Sequence, residues 1–127
     1  MERSTRQRQV IEAVLARTAR PLSPHELLGE AQSDLPRLGI ATVYRALRDG
    51  QDAGSIRTVE VPGGATRYEL ASHGHHHHFH CLTCSKVYEV EGCPGNLVSL
   101  APAGFEVTGH EILLSGTCRE CRAKATV

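Results

Sequence analysis

Two C-x2-C pairs, Cys81/Cys84 and Cys118/Cys121, constrain this chain more than any other feature. A C-x2-C step turns the backbone so that two thiolates face one point. Two such steps close a tetrahedron of sulfur around a soft divalent ion. The result has no open coordination position, so the four cysteines read as a structural zinc site. Its role is to fasten the start of a C-terminal unit to the tail of the chain. Such a staple suits a sequence of 127 residues with three tyrosines, two phenylalanines and no tryptophan. A small core is offset when metal-binding energy becomes folding energy.

The cysteines do not account for the histidines. Six of the eight lie within residues 73–80 (His73-Gly74-His75-His76-His77-His78-Phe79-His80), immediately before Cys81. Successive side chains of a strand point to opposite faces. His76, His78 and His80 therefore share one face, and His75 and His77 share the other. One run can feed two metal sites, which points to a metal sensor rather than a merely metal-stapled domain.

Charge balance excludes a generally basic nucleic-acid coat, since 14 Lys and Arg oppose 14 Asp and Glu. The basic residues nevertheless gather at the N-terminus, at Arg3, Arg6, Arg8, Arg17 and Arg20. No apolar run is long enough to span a bilayer, and Glu12 and Arg17 interrupt the stretch that a signal peptide would need. The expectation is a cytoplasmic protein with no membrane partner. There, paired cysteines serve as metal ligands more often than as disulfides.

The periodicities divide the chain. Val10, Ile11, Val14 and Leu15 predict a helix over Thr5–Arg17. Ser23-Pro24-His25-Glu26 has the form of a helix start: N-cap serine, proline at the first position, glutamate three residues on. A third helix is expected over Ala41–Asp49, with Gly50 ending it. Strands over Ile56–Val61 and Thr66–Leu70 flank Pro62-Gly63-Gly64, which reads as a hairpin turn. Three helices followed by a hairpin is the order of a winged helix. Beyond residue 75, strands are expected over His76–Cys81, Lys86–Glu91 and Phe105–Leu114, with a short helix over Leu97–Leu100. The fold class is α+β: a winged-helix unit over 1–71, a hinge over 72–75 and a small α+β dimerisation unit over 76–127.

On the third helix Thr42, Tyr44, Arg45 and Arg48 can face outward while Val43, Ala46 and Leu47 pack. Arginine can bond guanine twice and tyrosine can touch a thymine methyl, whereas Arg3, Arg6 and Arg8 are suited to phosphates.

Together with Arg67-Tyr68-Glu69-Leu70 at the end of the hairpin, the run His75–Cys84 and the distant Cys118/Cys121, Ile40-Ala41-Thr42-Val43-Tyr44-Arg45 resembles the ferric uptake regulator family over nearly the whole chain. The resemblance implies a homodimer whose binding to palindromic double-stranded operator DNA is gated by metal. It places Tyr44 and Arg45 on the DNA-reading helix and Arg8 on a DNA-facing helix. It agrees with a regulatory site of Glu69, His76, His78 and Glu89, in which Glu69 lies on one side of the hinge and the others beyond it. It also implies an additional site in which His75 and His77 join His110 from the last strand. The fourth ligand there, acidic in the family, falls on Cys93 or Asn96.

Two departures stand out. Gly50 occupies a place usually apolar, and Pro21 stands where many iron-sensing relatives supply a histidine. His25 is near but on the helix itself, so the regulatory site is either four-coordinate or borrows His73, His80 or water. Two imidazoles and two carboxylates suit iron(II) or manganese(II), with zinc as the alternative ion. The expected function is a metal-responsive repressor of metal-homeostasis genes. A peroxide sensor of the same family is the nearest alternative, although such sensors often use aspartate where Glu69 and Glu89 stand. A metal-storage protein would leave the winged helix unexplained. The closed four-cysteine site and the lack of a nucleophile motif argue against an enzyme, so neither catalytic residues nor a small-molecule substrate is expected.

Overall fold

A computed structural model describes residues 2–73 and 76–125; for residues 2–4 and 73 the backbone alone is described. Helix α1 spans Glu2–Thr18 and buries Ile11, Val14 and Leu15 on one side. The Thr18 hydroxyl donates back to the Val14 carbonyl at 2.6 Å, and Ala19 then leaves the helix at φ 57°. Helix α2 (Pro24–Ala31) carries the expected capping box. The Glu26 amide donates to Ser23 Oγ at 3.2 Å, and the Ser23 amide donates to Glu26 Oε1 at 3.0 Å. Both satisfy amides that a helix start leaves without an internal partner. The Glu26 carboxyl also takes an ion pair from Arg20 at 3.1 Å.

Helix α3 runs over Ile40–Asp52, so Gly50 does not end it. The physical reason lies in tertiary packing. Gly50 is buried, and a Cβ there would sit 2.4 Å from Ile56 Cδ1 and 2.8 Å from Ile56 Cγ1. Glycine is what lets Ile56 approach α3. Alanine would gain about 1 kcal/mol in helix propensity, against about 1–3 kcal/mol for overpacking. Gly50→Ala is therefore expected to lower stability by about 1 kcal/mol in urea titration. Adding Ile56→Val, which removes Cδ1, should recover much of that loss as a non-additive pair.

Strands β1 (Ile56–Val59) and β2 (Arg67–Leu70) form the antiparallel wing, pairing Ile56 with Leu70 and Arg57 with Glu69. Leu22, just before α2, bridges Tyr68 by mutual backbone hydrogen bonds of 3.0 and 2.8 Å. The main core lies inside this unit, around Ile11, Val14, Leu15, Leu22, Leu27, Val43 and Leu47.

After a 3-10 turn over Ala71–His73 come β3 (His77–Cys81) and β4 (Val87–Val90). A second 3-10 turn covers Leu97–Leu100, then β5 (Leu113–Gly116) and α4 (Arg119–Ala125). The sheet order is β4-β3-β5, antiparallel on one side of β3 and parallel on the other. The strand expected over Phe105–Leu114 is thus corrected: pairing begins only at Leu113, and His110 precedes the strand rather than lying on it. Among the described residues no ladder partner meets Phe105 or Val107. Phe105 remains 71 % exposed. A smaller apolar cluster of Val59, Val61 and Val87, with Leu113 against it, ties the wing to this second sheet. Buried Arg67 on β2 reinforces the tie by donating to the Ser85 carbonyl, and a second bond to the Ala65 carbonyl holds its side chain within the wing.

Candidate functional site

The parallel pairing of β3 with β5 sets Cys81 opposite Gly116 and so delivers both C-x2-C steps to one end of the sheet. All four sulfurs lie within 4.8 Å of one another, and none is in a disulfide. The Sγ atoms of Cys84 and Cys118 are 3.8 Å apart. That matches the edge of about 3.8 Å expected for a sulfur tetrahedron with metal bonds of about 2.3 Å. Amides of Cys84 and Cys118 donate to Cys81 Sγ at 3.4 and 3.3 Å. These donors hold the Cys81 thiol down at about 5 against the cost of burial, while the bond with Cys118 pushes Cys121 up to about 12. Anion-stabilising amides beside thiols too crowded to ionise together fit a divalent cation.

The second cluster straddles the turn between wing and sheet. Glu69, on β2, is 2 % exposed. Its Oε1 faces Nε2 of His78 at 2.9 Å and Nε2 of His76 at 3.1 Å, and its Oε2 accepts from Arg57 Nε at 2.6 Å. Burial alone would raise this carboxyl, but the hydrogen bonds from His78, Arg57 and His76 outweigh it and hold it at about 2. Glu89 pairs with His78 in the β-ladder and places Oε1 3.8 Å from His76 Nε2, at the edge of the cluster. The donor atoms of Glu69, His76 and His78 converge as those of a nitrogen and oxygen metal site do. The group opens on a cleft of about 500 Å³ that Arg57, Glu60 and Glu111 also line.

The third cluster lies on the opposite face of β3, as strand alternation requires. Cys93 Sγ is 3.0 Å from His110 Nε2 and 3.4 Å from His77 Nε2. The backbone carbonyl of Asn96, the other residue considered for this place, accepts from Ser99 Oγ at 2.9 Å. The Ile112 amide donates to His77 Nδ1 at 3.0 Å. A neutral ring so bonded carries its proton on Nε2, so coordination through Nε2 requires that hydrogen bond to open. His75, assigned to this site from the sequence, lies outside the described residues.

The remaining expectations sort as follows. Pro21 is buried and His25 is exposed on α2, so neither adds a donor to the Glu69 cluster. His80 is buried near Gly64 at the wing turn, away from that cluster. The side chains of His73 and Arg3 lie outside the described residues. On α3, Tyr44 is 47 % exposed, Arg45 and Arg48 are exposed, and Thr42 is half-buried. Thr42 shares a groove with Arg6 and Arg37. Arg8 is half-buried, bonded to Glu12 at 3.1 Å and to Ser55 at 3.2 Å, which ties α1 to the end of α3.

The family model described as the ferric uptake regulator family matches residues 2–114. The chain belongs to that family. The ferric uptake regulation protein of Campylobacter jejuni is 33 % identical over 92 % of this chain and 78 % of its own length. The peroxide-responsive repressor PerR of Staphylococcus aureus is 29 % identical over 96 % and 84 %. The structure of the Helicobacter pylori ferric uptake regulator Fur, with three functional metal-binding sites, superposes with a TM-score of 0.74 at 28 % identity, covering 92 % of this chain and 80 % of that one. Members of the ferric uptake regulator family are metal-responsive, dimeric DNA-binding repressors and not enzymes. They are built as a winged helix followed by a dimerisation domain.

Arg57 escaped the sequence reading, as did the buried contact of Arg67 with Ser85. A hairpin centred on residue 63 pairs residue 57 with residue 69, so the Arg57 contact was available from the turn alone.

Proposed function

We propose that this protein is a cytoplasmic repressor that binds palindromic operator DNA as a homodimer when a regulatory divalent ion occupies the Glu69 cluster, and that it controls metal-homeostasis genes. The observation that carries the reading is the meeting of Glu69, on the wing, with His76, just before β3, and His78, on β3. In this reading the winged-helix unit covers 1–71, residues 72–75 are the hinge and 76–127 form the dimerisation unit. Glu69, His76 and His78 would hold the ion, with Glu89 beside them. When bound it supplies bonds that join wing to sheet, so that the angle between the two units is set. In a dimer that angle sets the spacing of the recognition helices, and half-site spacing is strict. Tyr44, Arg45 and Thr42 read bases from α3, and Arg8 supports that surface from α1. Ligand softness favours iron(II) or manganese(II), with zinc also accepted.

Cys81, Cys84, Cys118 and Cys121 would hold structural zinc. His77, Cys93 and His110, joined by His75, would form an additional site. The exposed apolar side chains of Val98, Leu100 and Phe105 supply the surface for a second copy.

The test is fluorescence anisotropy on the palindrome upstream of the gene. Protein stripped by chelation but retaining its structural zinc is titrated with iron(II), manganese(II) and zinc(II) in turn. Affinity should rise about 100-fold, or about 2.7 kcal/mol, with the effector ion. Arg45→Ala should cost about 1–3 kcal/mol of specific binding without changing metal affinity. Equal affinity with and without every ion would leave a metal-binding protein whose DNA contacts are constitutive.

A further inference from the structure

The sensing reading makes no use of the ion pair between Arg57 and Glu69, yet that pair divides the carboxylate. Arg57 stands opposite Glu69 in the wing ladder, so the hairpin itself holds the guanidinium in place. Glu69 Oε2 accepts from Arg57 Nε at 2.6 Å, while Oε1 meets His78 and His76 at 2.9 and 3.1 Å. One oxygen is committed to a cation of the protein and one is turned toward the histidines. Glu69 is 2 % exposed, so its carboxylate has little room to reorient.

We propose that Arg57 tunes metal specificity at the Glu69 cluster against the lean of its donor set toward manganese(II), by withholding Oε2 and so disfavouring ions that require a high coordination number. The inference rests on reading Glu69, His76 and His78 as a metal site. Zinc is content with four ligands, whereas manganese(II) prefers octahedral, oxygen-rich surroundings. A carboxylate most readily adds a ligand by offering its second oxygen. Here that move requires breaking a charge-assisted hydrogen bond, which is among the stronger polar contacts a protein makes. The positive charge of Arg57 is a separate matter. It weakens every divalent ion in similar measure, and at 38 % side-chain exposure it is partly screened by water. Discrimination therefore appears in the ratio of affinities and not in either affinity alone.

The experiment is competitive chelator titration of manganese(II) and zinc(II) into the full chain with its four-cysteine site already loaded. Wild type, Arg57→Ala and Arg57→Lys are compared. Arg57→Ala should tighten manganese about tenfold more than zinc, the equivalent of about 1.4 kcal/mol. Arg57→Lys keeps a charge and a donor near Oε2 and should retain the wild-type ratio. Equal tightening of both ions in Arg57→Ala, or no change in either, would overturn the proposal, because Arg57 would then act through charge alone or not at all. Absence from the wild type of any bound ion that Glu69→Ala abolishes would overturn the metal-site reading itself, and this inference with it.

Discussion

Cys84→Ser is expected to unfold the second sheet while leaving the helices of the N-terminal unit folded. Cys84 is exposed, so the substitution removes no packing and changes one sulfur to oxygen. Its consequence comes through the cluster alone. Structural zinc sites contribute about 10–16 kcal/mol in small zinc-dependent folds, as much as the whole stability of a domain, about 5–15 kcal/mol. The second sheet has little to set against that loss. Its buried apolar cluster is Val59, Val61 and Val87, of which two belong to the wing. Each fully buried valine is worth about 1.5–3 kcal/mol, short of the ordering entropy of some fifty residues at about 1 kcal/mol or more apiece. The N-terminal core around Ile11, Leu15, Leu27 and Leu47 needs no metal. Hydrogen exchange should therefore lose protection at β3, β4 and β5 while α1, α2 and α3 keep theirs, with bound zinc falling in parallel. A variant that keeps both its zinc and its β3 protection would refute a folding role for the four sulfurs.

How much of this was legible in the sequence depends on the range of the interaction that decides each feature. The capping box at Ser23 and Glu26 is complete within four residues, and it forms as read. The alternation along His76, His77 and His78 follows from strand geometry, and the structure sends His76 and His78 to Glu69 and His77 to the other face. The four cysteines meet because parallel pairing of β3 with β5 brings residue 81 beside residue 116. Features set by packing between elements were read less well. Gly50 was judged by propensity as a helix end, when its role is to admit Ile56. Phe105 to Leu114 read as a strand, but a strand needs a partner edge, and only its final residues find one on β3. The Ile112 amide on His77 Nδ1 depends on the crossover to β5, which no local pattern encodes.

Glu69→Ala is expected to abolish the metal-dependent part of DNA affinity while leaving structural zinc in place. In the structure the three groups converge, with His78 and His76 at 2.9 and 3.1 Å from a single carboxylate oxygen of Glu69. A ligand shifts a conformational equilibrium only by its differential affinity for the two states. Metal bonds must hold the wing to β3 more firmly than two imidazole N–H donors do. Glu69 is the member of the cluster that belongs to the wing, so its removal leaves His76, His78 and Glu89 on one side of the turn. They could still bind an ion weakly, but that ion would no longer span the turn. Losing a ligand should weaken binding by about 100-fold or more, at least what outer-shell changes cost. The metal-dependent gain in DNA affinity should vanish even at saturating ion. Alanine also removes a buried acceptor from three donors, so Glu69→Gln is the better-folded control: similar in size, still an acceptor, and without the charge. Both variants should keep full zinc at the four cysteines and the weak, metal-free DNA affinity of the wild type. If Glu69→Ala instead responds to metal as the wild type does once ion concentration is raised, the bridge across the turn is not the switch. The gating would then have to reside wholly within the second sheet.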